Sequence, residues 1–332
     1  PVQNYEQSRW VMEEAKFYKE IAEGPSSAGA YWTQTDDNVR LRIGAYHAEG
    51  YSKGTILLLL GRFGYIERYG RVAQSFADNE FSTVVVDWRS QGLSDRMAED
   101  PQAGHIHHFS DYQKDVSAMM RVVDGLNMPK PYYLVGVSMG ACIGFRAMLD
   151  GLPVTAAAFI SPMWGIKMSA VQRIAAWPLS WLAKATGQGH RYVPGENGSI
   201  YVLETPFEDN NLTHNSEMYD YWVEQAKSAP ELQIGGPTMT WLFEALSECR
   251  SLTSVPSPAT PCITFCGELD RLVDNESIKA RMAKWPNGEF SMIRNAKHDV
   301  LTEIPEIGGD VMSQIFDFFS KVDNPGKIYA KV

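Results

Sequence analysis

Short apolar runs alternate with longer segments of helical periodicity along most of the chain. Seven such runs predict strands, at Arg40–His47, Ile56–Leu60, Thr83–Asp87, Tyr132–Val137, Thr155–Ile160, Cys262–Cys266 and Phe290–Arg294. Several are continuously apolar, which is typical of strands that helices cover on both faces. Helices are predicted at Arg71–Asp78, Asp111–Asp124, Ala141–Leu149 and Gly308–Phe319. The alternation predicts βα units and a mostly parallel central sheet, so the predicted fold class is α/β.

The beginning of the chain has a different pattern. Over Gln7–Glu20, the apolar residues Trp10, Val11 and Phe17 lie among charged residues. This spacing predicts an amphipathic helix and lacks the basic-then-apolar order of an export signal.

The alternation of strands and helices stops between residues 161 and 257. This stretch has no clear strand run, and it contains five of the nine Trp residues, at Trp164, Trp177, Trp181, Trp222 and Trp241. Because a strand pattern resumes after it, we expect a helical cap over 161–257, inserted into a core formed by 1–160 and 258–332. The alternative is a separate second domain.

Composition narrows the class of protein. The chain has 332 residues, of which 44% are hydrophobic and 21% charged, so a sizeable buried core is expected. A formal net charge of −10 disfavours nucleic acid or an anionic bilayer as the main partner. The longest aliphatic run, Ile56–Leu60, is far shorter than the ~20 residues of a membrane span, so no transmembrane segment is expected. Four cysteines without framework spacing predict reduced thiols and a cytoplasmic protein.

The strongest chemical signal is the sequence Gly-Val-Ser-Met-Gly at 136–140, between the strand Tyr132–Val137 and the helix Ala141–Leu149. Small residues on both sides of Ser138 allow a sharp strand-to-helix turn that exposes its hydroxyl above the sheet. The N–H of Met139 lies at the helix N-terminus, where negative charge is stabilised. Ser138 is therefore the candidate nucleophile.

A serine nucleophile needs a base, and the base needs an acidic group that orients it. In a sheet of this kind both come from later strand ends, in the order Ser, Asp, His. His298 is the one histidine after the last predicted strand, and Asp270 follows the strand before it. Rivals for the acid are Glu268, Asp274 and Asp299. Asp270 is favoured because its loop can turn back toward His298.

The oxyanion hole needs a second N–H group, from a loop after an early strand. The strand Ile56–Leu60 is followed by a loop at 61–64 that begins and ends with Gly, and the N–H of Arg62 is the candidate donor beside that of Met139. The Arg62 side chain receives no catalytic role. Three positions for it stay open: on a substrate phosphate, on a nearby carboxylate, or in solvent.

The chain resembles the α/β-hydrolase superfamily, and within it the bacterial lysophospholipases and monoglyceride lipases. Four segments carry the resemblance: Gly-Arg at 61–62 with Glu-Arg-Tyr at 67–69, Asp-Trp-Arg-Ser-Gln-Gly-Leu-Ser at 87–94, His-Phe-Ser-Asp-Tyr at 108–112 with Asp115, and the Ser138 turn. The loops of Asp270 and His298 extend it over nearly the whole core. The insertion matches only in position, as the family's cap.

The resemblance implies an α/β-hydrolase fold with a helical cap inserted in the middle of the chain. It implies Ser138 as the nucleophile, His298 as the general base and Asp270 as its orienting acid. It also implies the N–H groups of Arg62 and Met139 as the oxyanion donors.

Two departures from the family pattern lie beside this site. The family usually has His-Gly before the oxyanion residue, whereas this chain has Leu60-Gly61, which leaves the hydrogen bonds that support the loop open. The usual Asp-His-Arg-Gly is Asp-Trp-Arg-Ser at 87–90, which we expect to alter packing beside the site.

Within the insertion, Ala170–Ala185 has an apolar stripe interrupted by Pro178. Two interpretations need the same apolar face, so the sequence leaves both open. In one the helix packs on the core. In the other it is an acyl-binding wall or a lid that touches lipid surfaces.

The predicted function is a serine hydrolase that cleaves carboxylic esters through an acyl-enzyme, and the resemblance implies a lysophospholipid or monoacylglycerol substrate. Candidate substrate-binding residues are Phe63, Trp164, Trp177 and Trp181. Alternatives are an acyltransferase or small-ester carboxylesterase with the same triad, and a non-catalytic ligand-binding protein of this fold.

No cofactor and no metal are expected, because the histidines at 105, 107 and 108 lack a carboxylate or thiol at a recognisable spacing. Any membrane contact is expected to be local to the cap. The sequence makes no prediction of the oligomeric state.

Overall fold

A computed structural model gives the fold and describes residues 12–323. These residues form a nine-stranded sheet in the order β1-β2-β3-β5-β4-β6-β7-β8-β9. The strands are β1 Glu13–Ala15, β2 Gly29–Gln34, β3 Arg40–Tyr46, β4 Gly54–Leu59, β5 Phe81–Asp87, β6 Tyr132–Val137, β7 Ala156–Ile160, β8 Cys262–Gly267 and β9 Gly288–Ile293.

The pairing of the strands confirms the predicted, mostly parallel sheet. From β5 through β4 and β6 to β9, each strand pairs with its neighbour in parallel, whereas β1, β2 and β3 form an antiparallel edge. All seven predicted strands are present. Their ends lie within two residues of the predicted ends.

The predicted helix over Gln7–Glu20 is wrong over residues 13–18, and among its described residues only the last two belong to a helix, which begins at Lys19. Residues 7–11 lie outside the described residues, and β1 occupies Glu13–Ala15, where it pairs with β2. Hydrogen bonding to the edge of the sheet prevails over the helical spacing of the apolar residues, because an unpaired strand edge offers backbone partners to any segment that reaches it.

The described residues also form ten α-helices: α1 Lys19–Ala22, α2 Gly70–Asp78, α3 Asp111–Gly125, α4 Met139–Leu149, α5 Ala170–Ala185, α6 Tyr201–Glu204, α7 Ser216–Ser228, α8 Met239–Thr253, α9 Asn275–Met282 and α10 Pro305–Asp323. The four predicted core helices correspond to α2, α3, α4 and α10. Within residues 12–323, no helix is long and apolar enough to cross a bilayer.

The central strands position the site. Every residue of β4, β5, β6, β7 and β8 is buried, because helices cover the sheet on both faces. Parallel strands bring their carboxyl ends to one edge of the sheet. The loops that follow β4, β6, β8 and β9 therefore meet there, which is where ligands bind in open α/β sheets.

Between β7 and β8, residues 161–261 form α5 to α8, short 3₁₀ turns and loops. The helix α5 occupies Ala170–Ala185, the segment with the apolar stripe, and Ser169 and Gln172 form a capping box at its N-terminus. The helix α8 contributes Trp241 and Ala245 to the same apolar core as the sheet. The division into core and cap stays a prediction.

The outer face of α5 is exposed, so the packing of this helix is confined to its inner face. Val171 is 77% exposed, Ile174 79% and Trp181 55%, and Ser180 is the one buried residue of the helix. The inner face turns toward α8, since Trp177 lies beside Phe243 with ring centroids 5.2 Å apart.

Candidate active site

Ser138 lies at a sharp turn between β6 and α4. Its backbone angles are φ 52° and ψ −114°, a strained conformation for a residue with a side chain. The flanking glycines are required by close approach: a Cβ on Gly140 would lie 2.0 Å from the carbonyl oxygen of Leu59, and one on Gly136 2.8 Å from Cα of Ala141. The turn therefore presents the hydroxyl above the carboxyl edge of the sheet.

Asp270 and His298 form a buried hydrogen-bonded pair on neighbouring loops. His298 Nδ1 donates to Asp270 Oδ2 at 2.7 Å, while Oδ1 accepts from the N–H groups of Leu272 at 2.7 Å and Val273 at 3.2 Å. With Nδ1 committed to the carboxylate, Nε2 is the nitrogen left to act as a base.

Opposite charges set the pKa values of this pair. Burial opposes ionisation of Asp270, but the charge and hydrogen bond of His298 outweigh burial, so the pKa of the carboxyl falls below 3.8. Burial also favours neutral His298, yet the Asp270 carboxylate outweighs burial and raises the pKa of the imidazole above 6.5. The pair is arranged to stabilise an imidazolium, the form that a general base becomes after it takes a proton.

None of the three rivals for the acid hydrogen-bonds the imidazole of His298. Glu268 accepts from the N–H of Asn295, and Asp274 accepts from the Ser277 hydroxyl. Asp299 Oδ2 accepts a long hydrogen bond from Tyr69, at 3.5 Å. Among the described residues, Asp270 alone hydrogen-bonds the imidazole of His298.

Three groups that the sequence analysis missed fix the backbone around His298. Ser161 Oγ donates to the carbonyl oxygen of His298 at 2.6 Å, and the N–H of His298 donates to the carbonyl oxygen of Asn211 at 3.3 Å. The fully buried Glu303 carboxylate accepts from the N–H of Lys297 at 2.7 Å. Of these residues, only Glu303 lies close to His298 in sequence, so the pattern of the chain gave no signal for the other two.

The two predicted oxyanion donors are available. The N–H groups of Arg62 and Met139 have no hydrogen-bond partner among the described residues. Both residues line the same cavity as Ser138 and His298. The described residues show no direct hydrogen bond between Ser138 and His298, a contact that tightens in many hydrolases only when substrate binds.

Two side chains replace the support that the family's histidine would give to the oxyanion loop. The indole N–H of Trp88 donates to the carbonyl oxygen of Leu60 at 2.8 Å. Gln91 Nε2 donates to the carbonyl oxygens of Gly61 at 3.3 Å and Gly64 at 3.1 Å. Both departures from the family pattern therefore meet at one contact. Trp88 belongs to the altered sequence at 87–90, and Leu60 stands where the family usually has histidine.

A buried ion-pair network anchors the same loop from below. Asp87 accepts from the N–H of Ile66 at 2.8 Å and from Arg42 Nε at 2.7 Å. Arg42 also donates to the Glu67 carboxylate at 2.8 Å, and all three charged side chains are fully buried. Removing one member would leave an uncompensated buried charge, so the network fixes where the loop after β4 can lie.

A cavity of about 530 Å³ opens over Ser138 and His298. Apolar side chains from the insertion form much of its wall, among them Met163, Met168, Leu179, Val193, Ile234 and Leu242. Charged residues line it at Arg62, Arg68, Lys167, Glu196, Arg271 and Asp299. The arrangement combines an apolar chamber with a few polar groups near the reacting centre.

Of the four predicted substrate-binding aromatics, only Phe63 lines the cavity. Trp164 is 4% exposed and packs in the aromatic core against Phe159. Trp177 packs toward α8, and Trp181 points to solvent. None of these three side chains lines the cavity, because an apolar residue type does not reveal which face of its element it occupies. Trp241, which was not singled out, lines the cavity instead.

Residues 50–305, more than three quarters of the chain, match the family model described as serine aminopeptidase, S33. The chain belongs to this S33 family. The match includes Ser138, Asp270 and His298, and it confirms the predicted serine hydrolase class and α/β-hydrolase fold.

Two curated relatives of this S33 chain are lysophospholipases by name. "Probable lysophospholipase L2" of Haemophilus influenzae is 28% identical over 268 residues, which cover 80% of this chain and 83% of that protein. "Lysophospholipase L2" of Escherichia coli K12 is 27% identical over 312 residues, covering 89% and 90%. A soluble variant of monoglyceride lipase from Saccharomyces cerevisiae has a similar fold, with a TM-score of 0.69 at 14% identity, covering 88% of this chain and 94% of that chain.

Proposed function

We propose that this protein hydrolyses carboxylic esters through an acyl-enzyme on Ser138. His298 takes the proton from the hydroxyl as Ser138 attacks the ester carbonyl, and Asp270 stabilises the imidazolium. The N–H groups of Arg62 and Met139 bind the oxyanion. The imidazolium then protonates the leaving alcohol. Water activated by His298 releases the acid in a second step.

The observation that carries this proposal is the 2.7 Å hydrogen bond between Asp270 and His298, whose imidazole lines the same cavity as Ser138. The strained turn at Ser138 adds weight, because such strain at a functional site serves to expose a nucleophile. A non-catalytic binding protein would have no need for either feature.

The substrate that we propose is a lysophospholipid or a monoacylglycerol. The lysophospholipase names of the two relatives and the apolar chamber of about 530 Å³ support a single acyl chain as the recognised group. The substrate's ester carbonyl would lie at Ser138, and its acyl chain would extend along the apolar wall that the insertion supplies.

A substrate panel tests this proposal. Purified protein is given an oleoyl lysophospholipid, monooleoylglycerol, p-nitrophenyl esters of short and long acids, and aminoacyl p-nitroanilides, with and without an added alcohol acceptor. We expect release of free oleate at a kcat/KM that exceeds the value for the anilides. Faster cleavage of the anilides, or transfer of the acyl group to the alcohol in place of water, would contradict an ester hydrolase.

We also propose that the outer face of α5 contacts membrane surfaces while the protein resides in the cytoplasm. The exposed Val171, Ile174 and Trp181 lie on the helix whose inner side, with Ala175 and Ala176, lines the cavity. Contact through this face would place the cavity next to the lipid that supplies substrate. Four free, buried cysteines fit a reducing compartment.

A further inference from the structure

The side chain of Arg62 lies in the cavity beside the proposed oxyanion hole. Its guanidinium stacks 3.8 Å from the ring centroid of Phe63 and 5.5 Å from that of Trp241. One nitrogen, Nη1, donates to the carbonyl oxygen of Gly235 at 3.1 Å. Two aromatic faces and one carbonyl therefore hold the planar group in place on the cavity wall, and its other N–H groups have no hydrogen-bond partner among the described residues.

No carboxylate of the described residues forms an ion pair with Arg62. Two buried arginines do have such partners: Arg42 pairs with Glu67 and Asp87, and Arg89 pairs with Asp115. Burial lowers the pKa of Arg62 to about 10, which leaves it charged at neutral pH. A desolvated cation without a counter-ion is costly, so this guanidinium is suited to bind an anion that arrives with the substrate.

An opposing charge, Glu196, belongs to an exposed segment between β7 and β8 and also lines the cavity. Its negative charge acts on Arg62 electrostatically, although the two groups are too far apart for an ion pair. A second arginine on the cavity wall, Arg68, instead has Asp299 as its opposing charge and stacks on Trp222. The cavity wall thus carries a positive group at the half-buried Arg62 and a negative group at the exposed Glu196.

We propose that Arg62 binds the phosphate of a lysophospholipid head group and that Glu196 attracts its terminal amine. The inference rests on the proposed ester hydrolysis. The backbone N–H of Arg62 would bind the ester oxyanion, and its guanidinium would bind the phosphate. A single residue would therefore contact both groups that the glycerol unit joins. Monoacylglycerol carries neither charge, and the site therefore favours the phospholipid.

Matched substrates test the proposal. 1-Oleoyl-lysophosphatidylethanolamine and 1-monooleoylglycerol share the acyl chain and the ester, and differ in the charged head. For Arg62→Gln, we expect the ratio of their kcat/KM values to fall by roughly 10- to 100-fold, mainly through KM, because a charge-assisted hydrogen bond is lost. Arg62→Lys should keep part of the preference as a point charge. Arg294→Gln, at an exposed position outside the cavity, is the control and should leave the ratio unchanged.

The Glu196 half of the proposal has its own comparison. Lysophosphatidylglycerol lacks the amine of lysophosphatidylethanolamine. Glu196→Gln should lower the ratio of kcat/KM for lysophosphatidylethanolamine to that for lysophosphatidylglycerol by about threefold, which is the effect expected of an exposed ion pair. An unchanged preference would overturn the role of Glu196.

A measurement on the wild type avoids any folding defect of the variants. sn-Glycero-3-phosphoethanolamine should inhibit hydrolysis of p-nitrophenyl butyrate competitively, at concentrations where glycerol does not. Equal inhibition by both compounds, or a parallel loss of both oleoyl substrates in Arg62→Gln, would overturn the phosphate site. If the protein hydrolyses monooleoylglycerol but not the lysophospholipid, the phosphate site is overturned while the proposed ester hydrolysis stands. Hydrolysis of no ester would refute the proposed function itself.

Discussion

Two neighbouring acids near His298 have opposite environments. Asp270 accepts three hydrogen bonds, from His298 and two backbone N–H groups. Asp299 is 5% exposed, its Oδ1 has no partner, and burial raises its pKa. Only Asp270 is thus stabilised as a carboxylate that can hold an imidazolium, although Asp299 is adjacent to His298 in sequence.

Replacing each acid by its amide separates their roles. Asp270→Asn should lower kcat by roughly 10³- to 10⁴-fold, because the amide cannot stabilise the imidazolium and favours the wrong tautomer. Asp299→Asn serves as the matched control and should cost less than about tenfold, the range of one surrounding hydrogen bond. Steady-state kinetics with a p-nitrophenyl ester measures both. The larger loss in Asp299→Asn would show that the acid is misassigned.

The sequence predicted some residues of the site and missed others for a physical reason. Ser138, Asp270 and His298 follow from strand ends, because a parallel sheet brings those ends together whatever the loops contain. The neighbours that hold them do not follow in this way. Ser161 and Asn211 reach His298 through the fold from distant parts of the chain, and no spacing rule connects them.

At the scale of elements, the sequence likewise predicted features that depend on long apolar runs and missed features that depend on contacts between distant segments. The buried strands were predicted because their apolar runs are long. The edge strand β1 was missed because it is short and polar, and its pairing with β2 depends on hydrogen bonds that the sequence pattern does not display. The oxyanion loop likewise draws its support from Trp88 and Gln91, which lie beyond a whole βα unit.

The helix α5 combines two surfaces that the sequence could not separate. One side lines the cavity and the other is exposed to solvent. Both sides carry apolar residues, so residue type alone does not distinguish them. The structure assigns Leu179 to the cavity and Ile174 to the exposed face. A contiguous exposed apolar patch is uncommon on the surface of a monomer, and such a patch often marks a contact surface.

A charge on the outer face of α5 should weaken membrane binding. For Ile174→Glu, we expect partitioning onto phosphatidylcholine vesicles to fall roughly 10-fold, because the burial of one isoleucine side chain is lost. Tyr51→Glu is the matched control. Tyr51 is 73% exposed but precedes β4, so it lies at the amino end of the central strands, whereas the cavity opens at their carboxyl ends. Co-sedimentation measures both variants. Equal binding of Ile174→Glu and wild type would contradict contact through α5.

For the whole molecule, charge and topology constrain where substrate approaches. The net charge of −10 disfavours attraction of the entire surface to anionic lipid. The cavity opens at the carboxyl edge of the sheet, where the insertion provides its apolar wall. Composition therefore predicted the class of protein, whereas our proposal of lipid contact through one face rests on the fold.

The pH dependence of activity follows from the His298 pair. A general base must be neutral, and the Asp270 carboxylate raises the pKa of His298 above 6.5. Activity should therefore rise with pH through a midpoint above 6.5 in kcat/KM. The Asp299 carboxylate adds to the same shift, so Asp299→Asn should move the midpoint to lower pH. A wild-type midpoint below 6.5 would contradict this electrostatic account.

The central claim is that Ser138 is a nucleophile activated in the folded protein. Labelling with a fluorophosphonate probe tests it most directly, with heat-denatured protein as the control for non-specific reaction. We predict one label per wild-type chain, no label on denatured protein and none on Ser138→Ala, together with a loss of kcat of roughly 10⁵- to 10⁶-fold in that variant. Undiminished labelling of Ser138→Ala, or no labelling of the folded wild type, would contradict the account.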